Sequence, residues 1–522
     1  MSGKKKLSKK SSMPNIVFIL TDDLGYGDVG CYNPESKIPT PNLDKLAYEG
    51  IRFTDAHSPA TVCTPSRYSL MTGRMAFRTG KGSRVFEGTG GPSLIEESRL
   101  TLGGMLQNCG YTTAMYGKWH IGLTWKDSKG KRIKQGGKEG VAQIDYDKSV
   151  PIPDAPIHRG FDYFFGTPNC PTTDALYVYI DGDDVPVPAT SLLDKSTLPD
   201  HPFAWDCDQG MVAPGYEFEQ ADLLFLDKGL QFVKNHRKKS PDKPFFLVLS
   251  TQIAHAPAFP AKKYKGSTEA GPQGDFIFEI DAIVGKVIEA LDGHGIDNNT
   301  LVMFSSDNGP ETVQTHLMRK LYDHDSARPW RGMKRDAWEG GHRVPFIARW
   351  PGRIKAGSVS DQTMTLTDVM ATMASVVGVS LPDDAAEDSY DMLPVFLGQQ
   401  QEDMPVRPYT LTQSFHGELQ IRRGPWKYLD HKGSGGNNYD KNRILKAYKL
   451  PELAPNAVGQ LYNLQTDPGE TTNLFYKRLD IAKELKWLLE ASKRSGRSAP
   501  LGRIPSSIGI RGAGQLVKRE PS

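Results

Sequence analysis

The 522-residue sequence predicts an α/β fold, with a mostly parallel central sheet flanked by helices and a small antiparallel-sheet subdomain toward the C-terminus. Three observations predict it. Short apolar runs bounded by Gly, Pro, Asp or Asn recur along most of the chain, as buried strands of a parallel sheet do. Between them lie longer segments whose apolar residues recur at three and four, the period of a helix packed on one face. Past about Gly398 the rhythm changes to short strand-like pieces separated by turn residues, the pattern of antiparallel hairpins.

In chain order, residues 16–20, 112–116, 245–249, 301–304 and 344–349 read as strands. Helices are predicted over 219–236 and 276–291, the second with Ile277, Ile280, Ile283, Val284, Val287, Ile288 and Leu291 on one stripe. Their alternation puts helices on both faces of the sheet. Residues 409–412, 419–422 and 426–429, with the turn Arg423-Gly424-Pro425, read as the antiparallel piece. A single core stops growing near ~250–300 residues, so this length calls for a second, smaller one. The division that follows is a basic flexible tail over 1–13, a large α/β domain over 14–397, the antiparallel subdomain over 398–493 and an extended or disordered tail over 494–522.

Hydrophobic residues at 38% and charged residues at 24% are ordinary for a globular chain, and a net charge of +3 implies no polyanionic partner such as nucleic acid. The basic run from Lys4 to Lys10 reads as a solvated tail. Residues 15–20 fall short of the ~7–15 apolar residues of a secretory signal, and no run approaches the ~20 of a membrane helix. Neither a signal peptide nor membrane attachment is expected, so the chain as written reads as cytoplasmic; a periplasmic or secreted destination stays open if its start lies upstream. The five cysteines, at 31, 63, 109, 170 and 207, form no C-x-x-C pair and no regular spacing, which points away from zinc and from a disulfide framework. If one is chemically consumed, four remain, as buried thiols or as two bridges.

Open α/β sheets bind ligands at the carboxyl ends of their strands. Four predicted strand ends carry polar clusters: Thr21-Asp22-Asp23, Gly117-Lys118-Trp119-His120, the segment through His255-Ala256-Pro257, and Ser305-Ser306-Asp307-Asn308. Asp22, Asp23, Asp307 and Asn308 offer hard oxygen ligands only, which suits Ca²⁺ or Mg²⁺ and not zinc, and the number of ligands favours calcium.

The sharpest signal is Cys63-Thr64-Pro65-Ser66-Arg67, followed by Leu70-Met71-Thr72-Gly73-Arg74. Five cysteines would produce a C-x-P-x-R by chance on the order of 1 time in 100, so the match carries weight. It resembles the signature of the type I, formylglycine-dependent sulfatases, whose fold is similar to alkaline phosphatase. The stretch 110–120 looks like that family's second signature, residues 15–23 like its first strand and metal loop, and Gly332-Met333-Lys334 with 339–345 like another shared block. Leu461-Tyr462-Asn463-Leu464 looks like the closing strand of its C-terminal sheet. The resemblance spans roughly 14 to 475 and makes 14–397 the catalytic domain.

It implies a sulfuric ester hydrolase in which Cys63 is oxidised by a formylglycine-generating maturation enzyme to an aldehyde that hydrates to a geminal diol. One hydroxyl attacks sulfur and the other later expels sulfate; an unmodified thiol would lack that exit. One calcium ion would be held by Asp22, Asp23, Asp307, Asn308 and side chain 63. Arg67 would stabilise the diol, Lys118 and Lys334 the sulfate oxygens, with Asp307 as the base for attack, His255 as the acid for the leaving oxygen and His120 as the base that releases sulfate. His57, His158, His236, His294 and His342 are assigned structural roles. The expected substrates are sulfated carbohydrates, ahead of small aryl sulfates, with Tyr177 and Tyr179 as side chains suited to sugar faces. Two alternatives stand beside this: a phosphonate monoester hydrolase or phosphodiesterase of the same fold, and a non-catalytic sulfoglycan-binding protein if Cys63 is never oxidised.

Overall fold

The seven residues Asn15–Thr21, NIVFILT, are all buried, a condition met only by an interior strand covered on both faces. The alternation of side chains along a strand divides them. Ile16, Phe18 and Leu20 enter one hydrophobic cluster, and Val17 and Ile19 enter the other. The computed structural model describes residues 13–82, 85–401 and 403–501, so the basic run at 4–10 and the tail beyond 501 lie outside the described residues.

The large sheet has nine strands: β1 (Asn15–Thr21), β2 (Ile51–Phe53), β3 (Thr112–Lys118), β4 (Tyr163–Thr167), β5 (Ile180–Asp181), β6 (Phe245–Ser250), β7 (Thr300–Ser306), β8 (Phe346–Arg349) and β9 (Ser358–Ser360). Their order is β9-β2-β8-β7-β1-β6-β3-β4-β5. The five central strands β7, β1, β6, β3 and β4 pair in parallel. β8, the predicted strand at 344–349, joins them antiparallel. The predicted helices appear as Ala221–Lys239 and Gly271–Gly293, the second burying Ile277, Ile280, Ile283, Val284 and Val287 along one stripe.

Four antiparallel strands, β10 (Thr410–Gln413), β11 (Leu419–Arg423), β12 (Trp426–Leu429) and β13 (Gln460–Asn463), form the second sheet, covered by the helix Leu479–Arg494. After that helix, Ser498 and Ala499 donate to the Glu387 carbonyl at 3.0 Å. A buried polar network ties this sheet to the large one. Lys427 lies 3.0 Å from both Glu339 and Glu470, Arg422 reaches Asp55 at 2.6 Å, and His57 meets Asp55 at 2.8 Å and His342 at 2.9 Å. No helix among the described residues is long and apolar enough to cross a membrane.

Candidate active site at the strand ends

Because β7, β1, β6 and β3 are parallel neighbours, their carboxyl ends share one rim, and the residues that follow them meet there. Asp22 and Asp23 follow β1, Asp307 and Asn308 follow β7, Lys118 ends β3, and His255 lies in the loop after β6. Gly117 makes this approach feasible: it sits at φ +119°, and a Cβ there would stand 1.9 Å from the Ser250 carbonyl oxygen on β6. Cys63 opens the helix Cys63–Thr72, every residue of which is buried, and places Arg67 one turn further on.

Cations and carboxylates interlock at this rim. Lys118 Nζ donates to Asp22 Oδ2, and Lys334 Nζ lies 2.7 Å from Asp23 Oδ2 and 3.6 Å from Glu311. Arg67 donates through Nε to Asp307 at 2.7 Å and through Nη1 to Ser250 Oγ at 2.6 Å and the Lys118 carbonyl at 3.2 Å. Asn308 Nδ2 donates to Asp23 Oδ1 at 2.6 Å. Burial by itself would raise the Asp22 carboxyl, yet Lys118, with His255, Arg67 and Lys334, holds it far below the carboxylate range. Asp23 is pushed up to about 6 by burial, which Lys334 offsets only in part against Asp22 and Glu311. Asp307 is driven well above its ordinary value by burial and by Asp22, against the pull of Arg67.

Two raised carboxyls beside each other signal a shortage of positive charge. The donor set fits a hard cation: Asp22 Oδ1 and Asn308 Oδ1 are buried and find no hydrogen-bond partner among the described residues. The ligand atoms of Asp22, Cys63 and Asp307 lie within 4.8 Å of one another. Burial raises the Cys63 thiol, with Lys118 and Lys334 opposing it, so the unmodified side chain is a poor source of thiolate.

The two candidate histidines flank this cluster. His120, at φ +56°, is held through Nε2 by the Phe86 carbonyl at 2.6 Å, while its Nδ1 is buried without a partner among the described residues. The carbonyl can only accept, so Nε2 carries the proton and Nδ1 presents the lone pair. Burial and then Lys118 push this imidazole down to about 3. His255 lies 3.7 Å from Asp23 through Nε2 and 3.5 Å from the Cys170 sulfur through Nδ1, and burial with Lys334 holds it well below the ordinary histidine value.

The structure thus gathers Asp22, Asp23, Cys63, Arg67, Lys118, His120, His255, Asp307, Asn308 and Lys334 at one rim. Sequence reasoning passed over Glu311, Ser250, Cys170 and Asp174. Glu311 pairs Arg335 at 2.7 Å besides facing Lys334, and Asp174 stands 3.8 Å from His120. Glu311 lies four residues after Asp307, a signal that could have found it; Asp174 had none. One reading needs correction. Tyr177 is buried, its hydroxyl on the Asp208 carbonyl at 2.6 Å, and Tyr179 stacks on Tyr216 at 4.7 Å, so both serve a local aromatic core and present no face to a sugar. Of the two alternatives for the cysteines, the described structure shows free thiols.

Comparisons with known proteins agree with this geometry. The sulfatase family profile matches residues 14–379. An N-acetylgalactosamine-6-O-sulfatase of Bacteroides thetaiotaomicron is 31% identical over 506 residues, covering 93% of this chain and 94% of its own, and human arylsulfatase A is 33% identical over 487 residues, covering 88% and 83%. A structure solved in work on glycosaminoglycan metabolism by Bacteroides thetaiotaomicron superposes with a TM-score of 0.77 at 28% identity, covering 93% of this chain and all of that one. A Pseudoalteromonas sulfatase follows at 0.69 and 27%, covering 95% and 93%. From the C-x-P-x-R helix, the shared rim and these matches, the chain belongs to the sulfatase family of the alkaline phosphatase superfamily, the sulfuric ester hydrolases.

Proposed function

We propose that the chain hydrolyses a sulfate monoester on a carbohydrate, using a formylglycine hydrate made from Cys63 and one calcium ion held by Asp22, Asp23, Asp307, Asn308 and side chain 63. The observation that carries this reading is the convergence of Cys63, Asp22 and Asp307 within 4.8 Å, beneath three buried cations. The hydrate supplies a nucleophilic hydroxyl and a second hydroxyl through which sulfate can leave. Calcium supplies positive charge that neutralises sulfate and acidifies the nucleophile.

The chain's own residues do the rest. Lys118 and Lys334, both buried and charged, donate to sulfate oxygens where water is excluded. Arg67 is fixed by Asp307 and Ser250 and orients side chain 63 from one helical turn away. Asp307, fixed by Arg67 Nε at 2.7 Å, accepts the proton of the attacking hydroxyl. His255 faces the departing oxygen from the loop after β6 and donates to it through Nε2 once Asp23, at 3.7 Å, and the negative charge of the bound ester favour its protonated form. His120, with Nδ1 free as an acceptor, takes the proton whose loss releases sulfate. The relative at 31% identity, an N-acetylgalactosamine-6-O-sulfatase, makes N-acetylgalactosamine-6-sulfate the first substrate to try.

Intact-mass analysis and turnover test this reading together. Maturation lowers the mass by about 18 Da, and Cys63→Ala abolishes turnover while the chain stays folded. An unshifted mass with no turnover would leave a sulfoglycan-binding protein, and faster turnover of an aryl phosphonate or phosphodiester than of any sulfate ester would move the chain to the phosphorus side of the superfamily.

A further inference from the structure

The general acid marks the side on which the leaving oxygen, and hence the sugar, departs. On that side the loop 201–208 packs against the loop of His255: the Ala258 amide donates to the Phe203 carbonyl at 2.9 Å, and the rings of His201 and Phe259 lie 6.5 Å apart. The far end of the loop is pinned by Tyr177, whose hydroxyl donates to the Asp208 carbonyl at 2.6 Å, with Cys207 buried against the same aromatic cluster. Between these anchors stand Trp205, 43% exposed, and the half-buried Asp206.

An indole left in water beside an active site is a cost unless it covers something. Trp205 is held through Nε1 by Gln314 Oε1 at 3.0 Å, on the helix Thr312–Tyr322 that follows Glu311. Gln314 is 3% exposed, and its Nε2 has no partner among the described residues. Asp206 makes no hydrogen bond or ion pair among the described residues. Burial, then Glu311, push its carboxyl up to about 7 against the pull of Lys334, with Asp174 and Asp208 adding to the rise. Glu87, next to the Phe86 that holds His120, is raised in turn by burial and by Asp208. Asp206 and Asp208 on this loop, Asp174 3.8 Å from His120, and Glu87 next to Phe86 put four carboxyls around the sulfate cluster, and Arg335 beside them is already paired with Glu311.

We propose that Trp205 and Asp206 form the subsite for the leaving sugar, the indole packing on the ring and the carboxyl bonding its hydroxyls, and that the acidic rim selects a ring bearing neutral substituents over one carrying a second sulfate or a carboxylate. This deepens the sulfated-carbohydrate reading and rests on it. A carboxylate accepts from sugar hydroxyls, and the negative rim repels a second anion.

Calorimetric titration of N-acetylgalactosamine-6-sulfate into the Cys63→Ala chain in calcium buffer tests it apart from turnover. Trp205→Ala and Asp206→Asn are expected to weaken this sugar about tenfold more than they weaken inorganic sulfate, with Trp205→Phe recovering part of the loss. A 4,6-disulfated analogue is expected to bind the unsubstituted subsite more weakly than the monosulfate, and Asp206→Asn to narrow that gap. Equal losses for sugar and sulfate, no loss at all, or tighter binding of the disulfate would overturn the subsite. If the chain with Trp205 and Asp206 intact binds no sulfated sugar, the carbohydrate reading itself falls.

Discussion

Arg67 shows how much a single buried side chain can organise. Its guanidinium joins Asp307, Ser250 and the Lys118 carbonyl, at the ends of three strands, a span that a planar fork covers and an ammonium does not. Arg67→Lys keeps the charge and loses the fork; kcat is expected to fall by about 10²-fold while KM changes little, as steady-state kinetics would report. The carboxylates beside it make a second prediction. Chelation is expected to abolish turnover and to lower the melting temperature, because Asp22, Asp23 and Asp307 then repel one another in a dry site. Restored calcium at about 100 times its Kd would return ~2.7 kcal/mol of stability, a shift that scanning calorimetry detects without any substrate. A melting temperature indifferent to chelator would remove the ion from the account.

At the scale of elements, the rim depends on how closely β3 and β6 run. The φ of Gly117 and the Ser250 carbonyl 1.9 Å from where its Cβ would lie leave no room for a side chain. Gly117→Ala is expected to cost ~3 kcal/mol or more, seen as a lower urea midpoint, and to displace Lys118, the next residue, so that activity falls further than stability alone explains. The helix Cys63–Thr72 is governed by burial in the same way. With no exposed face, it is gripped from all sides, and that rigidity fixes the position of side chain 63 against Asp22 and Asp307.

At the scale of the whole molecule, the joint between the two sheets is a buried charge network in which Lys427, Arg422 and Arg343 face Glu339, Glu470 and Asp55, with His57 and His342 between them. Burial, with Arg343, pulls His57 below the ordinary 6.5; burial, with Lys427, pulls His342 well below it. The unfolded chain therefore takes up protons first as pH falls below about 6.5. Stability is present above that pH and is lost below it, by up to ~1.4 kcal/mol per pH unit for each histidine, until the folded imidazoles themselves charge. Thermal melts between pH 7.5 and 5 are expected to show this slope, to which the buried His120 and His255 add, and His342→Gln to reduce it by one histidine's share; an unchanged slope in that variant would remove His342 from the account. Lys427→Met is expected to cost about 3–5 kcal/mol, since it leaves two buried carboxylates facing each other, and denaturant unfolding would show it.

The class of the fold and the candidate ligands were legible because both are local. Short apolar runs such as 245–249, bounded by turn residues, read as interior strands, and the polar residues directly after them reach the rim where parallel strands end. Hence Asp22, Asp23, Lys118, Asp307 and Asn308 could be named from position along the chain. What the tertiary structure decided involves partners distant in sequence. That Tyr177 and Tyr179 face inward, that Asp174 stands near His120, and that Trp205 waits uncovered beside the His255 loop follow from how the segment 170–216 folds back on the sheet edge. No period or spacing encodes those contacts, because each is set by long-range packing between residues whose own preferences are compatible with burial or exposure alike.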